Sequence, residues 1–139
     1  MIEGHCLCGA VRVAVAECDA RIGACHCRMC TRWAGGPSFS FDAVDVNITG
    51  DVALYQSSAF AERAFCPKCG SHLWIRDTDA PEGRYDLLPG LFDAAKDWPL
   101  RGEIYTDRAF AAIRLEGGHS RTTRAEYEAK NAHIKGDAL

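Results

Sequence analysis

The sequence has no long hydrophobic run and no marked excess of charge of either sign. Sixteen Lys and Arg stand against nineteen Asp and Glu, a formal net charge of −3, and the cations are scattered. This pattern argues against a nucleic-acid groove and against a membrane span. The first residues, MIEGHCLCGA, show no cationic start followed by an apolar run, so no secretory signal is predicted. We therefore expect a cytoplasmic protein with no nucleic-acid or membrane partner.

The composition also lacks the cysteine density of a secreted disulfide scaffold. Eight of the 139 residues are cysteines, about 6% of the chain, which is below the roughly 8–10% typical of such scaffolds. Disulfide pairing is the alternative, but it gives no reason for the grouping CLC at 6–8, CHCRMC at 25–30 and CPKCG at 66–70. Close cysteine pairs are typical of metal chelation in a reducing compartment. The length favours one domain over residues 1–139.

Four of the cysteines can form a closed metal site. Two thiolates on one zinc lie about 3.7 Å apart, a separation that a tight turn such as CPKCG provides. Residues two apart on an extended strand point the same way, so the CLC pair can also chelate. The predicted structural zinc ligands are Cys6, Cys8, Cys66 and Cys69. A site of four thiolates has no place for substrate and stabilises the fold.

The block CHCRMC supplies three further thiols, at Cys25, Cys27 and Cys30. The first two share one face of an extended segment, and the third follows at a tight turn that enters a short helix. Three protein ligands with a fourth position open to water or substrate is the pattern of catalytic zinc. This block therefore predicts a second zinc site of the catalytic type.

Other assignments of these residues are open. Two C-x-x-C pairs could form a zinc ribbon from Cys27, Cys30, Cys66 and Cys69, although their separation exceeds the usual ~15–20 residues. Cys18 could close the second site, but a surface thiol is favoured. A packed or hydrogen-bonded side chain is favoured over a metal ligand for His26. Arg28 and Arg32 could recognise a carboxylate, although solvent-facing cations are favoured.

Short alternating segments predict a mainly β protein. AVRVAVA, PSFSFDA, AVDVNITG, VALYQS, ERAFC, HLWIR, RYDLLPG and GEIYTD are each bounded by turn-forming residues. The expected architecture is several small antiparallel sheets with metal at their junctions. Helix is expected only after Cys27 and in RAEYEAKNA.

Read together, GHCLCGAVRVAV, CHCRMCTRWAGG and FCPKCGSHLW resemble the glutathione-dependent formaldehyde-activating enzyme family, which also includes centromere protein V. The resemblance covers about residues 2–115 and leaves 116–139 as a C-terminal extension. It implies a β-tent fold with one zinc on the C-x-C and C-x-x-C blocks and a second on the C-x-C-x-x-C block. Both zinc assignments coincide with the spacing argument.

The resemblance also implies a carbon–sulfur lyase, with S-(hydroxymethyl)glutathione synthesis from formaldehyde and glutathione as the type reaction. A small thiol such as glutathione is then the expected partner, because an open zinc position can hold a thiolate. The alternative is a non-catalytic zinc-binding interaction module whose second zinc is structural or labile. The sequence identifies no general acid or base and no substrate-binding residue.

Overall fold

Ten strands and two α-helices form the regular structure of the chain, in a computed structural model that describes residues 1–139. The strands are β1 (Ile2–His5), β2 (Arg12–Cys18), β3 (Ile22–Cys25), β4 (Ser38–Thr49), β5 (Ala53–Gln56), β6 (Ala61–Phe65), β7 (His72–Asp77), β8 (Tyr85–Leu87), β9 (Leu100–Ile104) and β10 (Ser120–Thr122). The helices are α1 (Arg28–Ala34) and α2 (Arg124–Lys130), with 3₁₀ turns at Pro89–Leu91, Asp93–Asp97 and Thr106–Arg108. The predicted mainly β class is confirmed. No helix here combines the length and the apolar character that crossing a membrane requires.

The chain divides into two compact units, each made from two separate stretches of sequence. The first unit comprises Met1–Ala20 and Ser40–Trp98, and the second comprises Arg21–Phe39 and Pro99–Leu139. The cysteine blocks CLC and CPKCG lie in the first unit, whereas CHCRMC lies in the second. Each block therefore takes its surroundings from elements that are distant in sequence.

Antiparallel pairing organises the first unit. β2 pairs with β1 and β4, β8 with β4 and β7, and β6 with β7 and β5. Alternation along β2 points Val13 and Val15 inward, where each is 1% exposed. Their partners across the strand pair are Ile48 and Val46 on β4. The alternation that predicted this strand is thus explained by burial of one face.

An aromatic cluster completes the core of the first unit. The ring of Phe41 meets those of Phe92 and Trp98 edge to face, at centroid distances of 5.3 and 5.0 Å. Leu73 and Leu87 are fully buried in the same core. Such close packing of large apolar side chains gives this unit a hydrophobic interior of its own.

The second unit differs from the prediction of antiparallel sheets, because β9 pairs in parallel with both β3 and β10. Parallel strands need a crossover of a dozen or more residues, and both connections here are long enough. No short turn joins these strands, so nothing forces the antiparallel arrangement. The antiparallel prediction is wrong for this unit.

Strand boundaries differ from the sequence pattern at one further place. PSFSFDA and AVDVNITG, predicted as separate strands, form the single twelve-residue β4. Asp45 within it has a left-handed backbone, with φ of 53°. Asp tolerates this conformation better than most residues, so the strand continues through a position that the sequence marks as a break. The helix predicted in RAEYEAKNA is confirmed as α2, with the Thr123 side chain accepting a hydrogen bond from the Glu126 amide.

Candidate metal centres

The first cysteine cluster joins the turn after β1 to the turn after β6. Cys6 directly follows β1, and Cys8 lies two residues on in the turn that leads to β2. The Cys6 and Cys8 sulfurs are 3.6 Å apart, and those of Cys8 and Cys66 are 3.9 Å apart. The cluster as a whole contains four sulfurs that lie within 4.8 Å of one another, from Cys6, Cys8, Cys66 and Cys69. These separations match thiolates that share one tetrahedral zinc.

The prediction that Cys6 and Cys8 lie on a strand is wrong in its local detail. The segment is a turn, in which the Gly9 amide donates to the Cys6 carbonyl at 2.9 Å. Gly9 has a φ of 74°, a left-handed conformation that a glycine adopts without strain. The turn still brings the two sulfurs within 3.6 Å of each other, as the prediction of a chelating pair requires.

The second half of this cluster is a knuckle that starts at the end of β6. The Gly70 amide donates to the Cys66 carbonyl at 2.8 Å, and Gly70 takes a left-handed φ of 76°. The Ser71 hydroxyl lies 3.2 Å from the Cys69 sulfur. Hydrogen bonds from the Ser71 side chain and backbone lower the pKa of Cys69 to about 5. The knuckle thereby favours the thiolate form that a metal ion binds.

Cys6 is favoured as a thiolate by similar means. Burial alone would raise the pKa of this fully buried thiol, but the hydrogen bond from the Val11 amide and those from neighbouring thiols outweigh it. The Val11 amide lies 3.3 Å from the sulfur. Amide donors at a chelating sulfur are the outer contacts that orient metal ligands.

The second cluster lies where β3 leads into α1. Cys25 is the last residue of β3, Cys27 is the N-cap of α1, and Cys30 lies in its first turn. The three sulfurs lie within 4.8 Å of one another. The Cys27 sulfur accepts a hydrogen bond from the Cys30 amide at 3.3 Å. The tight turn and short helix predicted for this block are confirmed.

Electrostatics in the second cluster oppose three free thiolates. Hydrogen bonding to Cys27 and Cys30, together with burial, raises the pKa of Cys25 well above its ordinary value. A hydrogen bond with Cys25 lowers the pKa of Cys27, but the Cys30 thiol and burial outweigh it and raise that pKa to about 11. Negative charges this close repel one another, and a bound cation would offset the repulsion. The donor set therefore fits a thiophilic metal ion such as zinc.

None of the eight cysteines is paired in a disulfide. The sulfurs group as four and three, and neither set combines Cys27 and Cys30 with Cys66 and Cys69 as a zinc ribbon would. Cys18, at the end of β2, belongs to neither set and is partly exposed.

His26, between two cysteines of the second cluster, is hydrogen-bonded as predicted and is 1% exposed. Its Nε2 lies 2.6 Å from one carboxylate oxygen of Glu103, and the other oxygen lies 2.5 Å from Nε2 of His119. Burial would raise the pKa of Glu103, but these histidine contacts lower it. Sequence reasoning missed Glu103 and His119, because no spacing relates them to the cysteine block.

The C-terminal extension also meets the second cluster. The Gly136 amide donates to the Tyr105 hydroxyl, and the Gly136 carbonyl accepts from the Met29 amide, each at 3.1 Å. A Cβ at position 136 would lie 2.7 Å from the Cys27 Cβ and 2.8 Å from the Tyr105 ring. The extension therefore packs directly against a cysteine of the cluster, which the sequence did not indicate.

An ion pair fixes the residue after this glycine. The Asp137 carboxylate lies 2.6 Å from Nε of Arg108 and 3.5 Å from Nη1 of Arg124. Arg28 is one of the two arginines considered for carboxylate recognition. Its backbone amide donates to Oδ1 of Asp137, and its side-chain Nη1 donates to the Asp137 carbonyl, each at 3.4 Å. The other, Arg32, is exposed in the last turn of α1.

Comparison with known proteins gives one family and two relatives. A family model described as glutathione-dependent formaldehyde-activating enzyme matches residues 1–108. A Schizosaccharomyces pombe protein described as an uncharacterized lyase is 35% identical over 108 residues, which are 76% of this chain and 78% of the relative. A Halomonas elongata protein named for glutathione-dependent formaldehyde activation is 31% identical over 99 residues, 59% of this chain and 60% of the relative.

The fold also resembles that of a solved structure. The crystal structure of a Rhodobacter sphaeroides protein aligns with a TM-score of 0.55 at 19% identity, covering 87% of this chain and 100% of that one. At this identity the likeness concerns the fold alone.

Proposed function

Since this chain belongs to the glutathione-dependent formaldehyde-activating enzyme family, we propose that it is a carbon–sulfur lyase-type enzyme acting on the adduct of glutathione, or another small thiol, with formaldehyde or a related aldehyde. The observation that carries the proposal is the cluster of three sulfurs from Cys25, Cys27 and Cys30, all within 4.8 Å of one another. Three protein thiolates leave a tetrahedral ion one position for a further sulfur.

The two clusters have different roles in this proposal. Cys6, Cys8, Cys66 and Cys69 would hold a structural zinc, and Cys25, Cys27 and Cys30 would hold a second zinc of the catalytic type. When bound at the second cluster, zinc supplies the positive charge that lowers the pKa of an incoming thiol and favours its thiolate. The expected fold is a zinc-organised β-tent formed as one domain over residues 1–139. A reducing cytoplasm is the proposed location, because both clusters need reduced thiols.

The reaction itself is an addition and its reverse. The thiol loses its proton, its sulfur forms a bond to the carbonyl carbon, and the carbonyl oxygen takes up a proton to give a hydroxymethyl thioether. In the lyase direction the carbon–sulfur bond breaks, the hydroxyl proton leaves and the free thiol is restored. The protein contributes by placing the thiol sulfur beside three fixed cysteines, which converts an encounter in solution into a positioned one.

Cobalt-substituted protein provides the test of thiol binding. We expect glutathione at millimolar concentration to change the visible d–d and thiolate charge-transfer bands, because a fourth sulfur would join the three-cysteine site. S-methylglutathione, which lacks a free thiol, serves as the control and should leave the bands unchanged. Bands that do not respond to glutathione would contradict the proposal and favour the non-catalytic zinc module.

Catalysis is tested by the rate of exchange between formaldehyde, glutathione and their adduct, measured by nuclear magnetic resonance. The unaltered protein should accelerate exchange, and Cys27→Ser should abolish the acceleration. Cys18→Ser is the matched control, because Cys18 belongs to neither cluster. Equal rates for the two variants would show that the three-cysteine site does not carry the activity.

A further inference from the structure

A carboxylate of the chain itself is held by two arginines beside the three-cysteine cluster. We propose that Arg108 and Arg124 form the carboxylate-binding site for the acidic thiol substrate, and that Asp137 fills this site as an internal competitor. The inference rests on the proposed function, because it names the residues that would recognise the substrate of the same site.

The contacts of Asp137 define the site. One carboxylate oxygen lies 2.6 Å from Nε of Arg108 and 3.5 Å from Nη1 of Arg124. The other oxygen lies 3.4 Å from the Arg28 amide. The Asp137 side chain is only 11% exposed, whereas the two arginines are 38% and 40% exposed. A largely buried carboxylate between two half-exposed cations is the arrangement with which proteins bind anionic groups.

Two other acidic residues hold the arginines in place. Oε2 of Glu128 lies 3.1 Å from Nε of Arg124, and an Asp107 oxygen lies 3.5 Å from Nη1 of Arg108. Asp107 also accepts a hydrogen bond from the Arg124 amide at 2.8 Å. These contacts do not depend on Asp137, so the arginines would keep their positions if its carboxylate left. The Asp137 carboxylate could therefore leave the site while Arg108 and Arg124 keep their arrangement.

The position of the site relative to the cluster suggests the ligand. Gly136 packs against the Cys27 Cβ, and the carboxylate belongs to the next residue along the chain. In glutathione, the thiol-bearing cysteine is followed by a single glycine that ends in a carboxylate. A thiol bound at the cluster would thus bring its carboxylate within reach of the arginine pair. Exchange of one carboxylate for another keeps the arginines paired and avoids leaving a partly buried charge without a partner.

The test compares ligands that carry both recognised groups, the thiol and a carboxylate, with ligands that carry only one of them. Glutathione has the thiol and the carboxylates, 2-mercaptoethanol has the thiol alone, and S-methylglutathione has the carboxylates alone. Asp137→Asn should tighten binding of glutathione and S-methylglutathione roughly 3- to 10-fold in zinc-loaded protein, because the internal competitor is removed. Binding of 2-mercaptoethanol should not change. Asp51→Asn is the matched control, since Asp51 is an exposed carboxylate of the first unit.

A second substitution tests the arginines. In the Asp137→Asn background, Arg124→Gln should weaken S-methylglutathione binding roughly tenfold, whereas Arg12→Gln, at an exposed position of β2, should not. Asp137→Ser carries the same prediction and replaces Asp137→Asn if that variant does not fold. Titration calorimetry measures these affinities.

Two results would overturn the inference. One is that Asp137→Asn and Asp51→Asn bind glutathione and S-methylglutathione with equal affinity. The other is an increase in the affinity of Asp137→Asn for 2-mercaptoethanol as large as the increase for glutathione. That result would mean that the extension obstructs the site by its bulk alone. Failure of the proposed function would give a different result. If no thiol changed the cobalt bands, the proposed function would be contradicted, but the affinity for S-methylglutathione would still test the arginine site independently.

Discussion

At the scale of single residues, position 136 has room only for glycine. Its neighbours are the Cys27 Cβ and the ring and hydroxyl of Tyr105, all closer than a real Cβ tolerates. Tyr105 cannot yield easily, because it is 1% exposed and its hydroxyl also donates to Glu128 at 3.0 Å. Its backbone is left-handed, with φ of 56°, which is uncommon for an aromatic residue. The surroundings of this glycine are therefore rigid.

Gly136→Ala should destabilise the protein by about 1–3 kcal/mol, because the added methyl group forces either Tyr105 or the extension to move. Denaturant unfolding followed by circular dichroism measures the change. Gly118→Ala is the control, since a Cβ there meets no atom within 4 Å and its φ is not left-handed. Equal stability of the two variants would show that the extension does not hold its position against Cys27.

Single residues also mark the limit of what the sequence could predict. His26 was expected to be packed or hydrogen-bonded rather than to bind metal, and its hydrogen bond to Glu103 confirms a hydrogen-bonded side chain. Its partner Glu103 is 77 residues away along the chain, and the other contact of Glu103, His119, is 16 residues from Glu103. Contacts of this kind depend on how β3, β9 and the loop after β9 come together. No periodicity in one sequence specifies that arrangement.

At the scale of elements, the first cysteine cluster is built from turns, and the second is built where a short strand ends and a short helix begins. The first cluster uses a turn with a left-handed Gly9 and a knuckle with a left-handed Gly70. The second uses the end of β3 and the N-cap of α1. The grouping of the sulfurs was predictable because turns of this size fix the distance between neighbouring sulfurs. The prediction of a strand for CLC was wrong, because a tight turn can bring two side chains together as well as strand alternation can, and the spacing alone does not distinguish them.

Cysteine substitutions should separate the two clusters. Cys66→Ser should prevent soluble folding, because Cys66 is fully buried and joins the turn after β6 to the turn after β1. Structural zinc in small domains accounts for ~10–16 kcal/mol of apparent folding free energy, more than a domain of this size has to spare.

Cys27→Ser should instead leave a folded protein that binds one metal equivalent less. Serine is a good N-cap, so its hydroxyl can accept the Cys30 amide hydrogen bond and α1 is retained. Metal content per chain and thermal melting of both variants check the difference, with Cys18→Ser as the reference. Identical behaviour of the Cys66 and Cys27 variants would contradict the division into structural and catalytic-type sites.

At the scale of the whole molecule, the two units contain different kinds of interior. The hydrophobic core lies in the first unit and includes Phe41, Leu73, Leu87 and Phe92. The buried residues of the second unit include His26 and Glu103 as well as Cys27 and Cys30 of its cluster. A polar interior gains less from the hydrophobic effect, so the second unit should depend more on ion pairs and bound metal. The length predicted one domain, but the sequence could not assign the hydrophobic core to a part of the chain, because that assignment follows from long-range strand pairing.

Removal of metal should therefore disorder the two units in sequence. A site with three protein ligands releases its ion more readily than one with four, so a graded chelator should first empty the three-cysteine cluster. Hydrogen exchange should then increase in α1 and in the extension that packs on Cys27, while amides of β2 and β4 stay protected. Removal of the second ion should expose the β2 and β4 amides as well, because the four-cysteine cluster links turns about sixty residues apart. Mass spectrometry of deuterium uptake, with metal content measured on the same samples, follows both steps. Simultaneous loss of protection in both units would mean that the clusters stabilise the protein as a single cooperative structure.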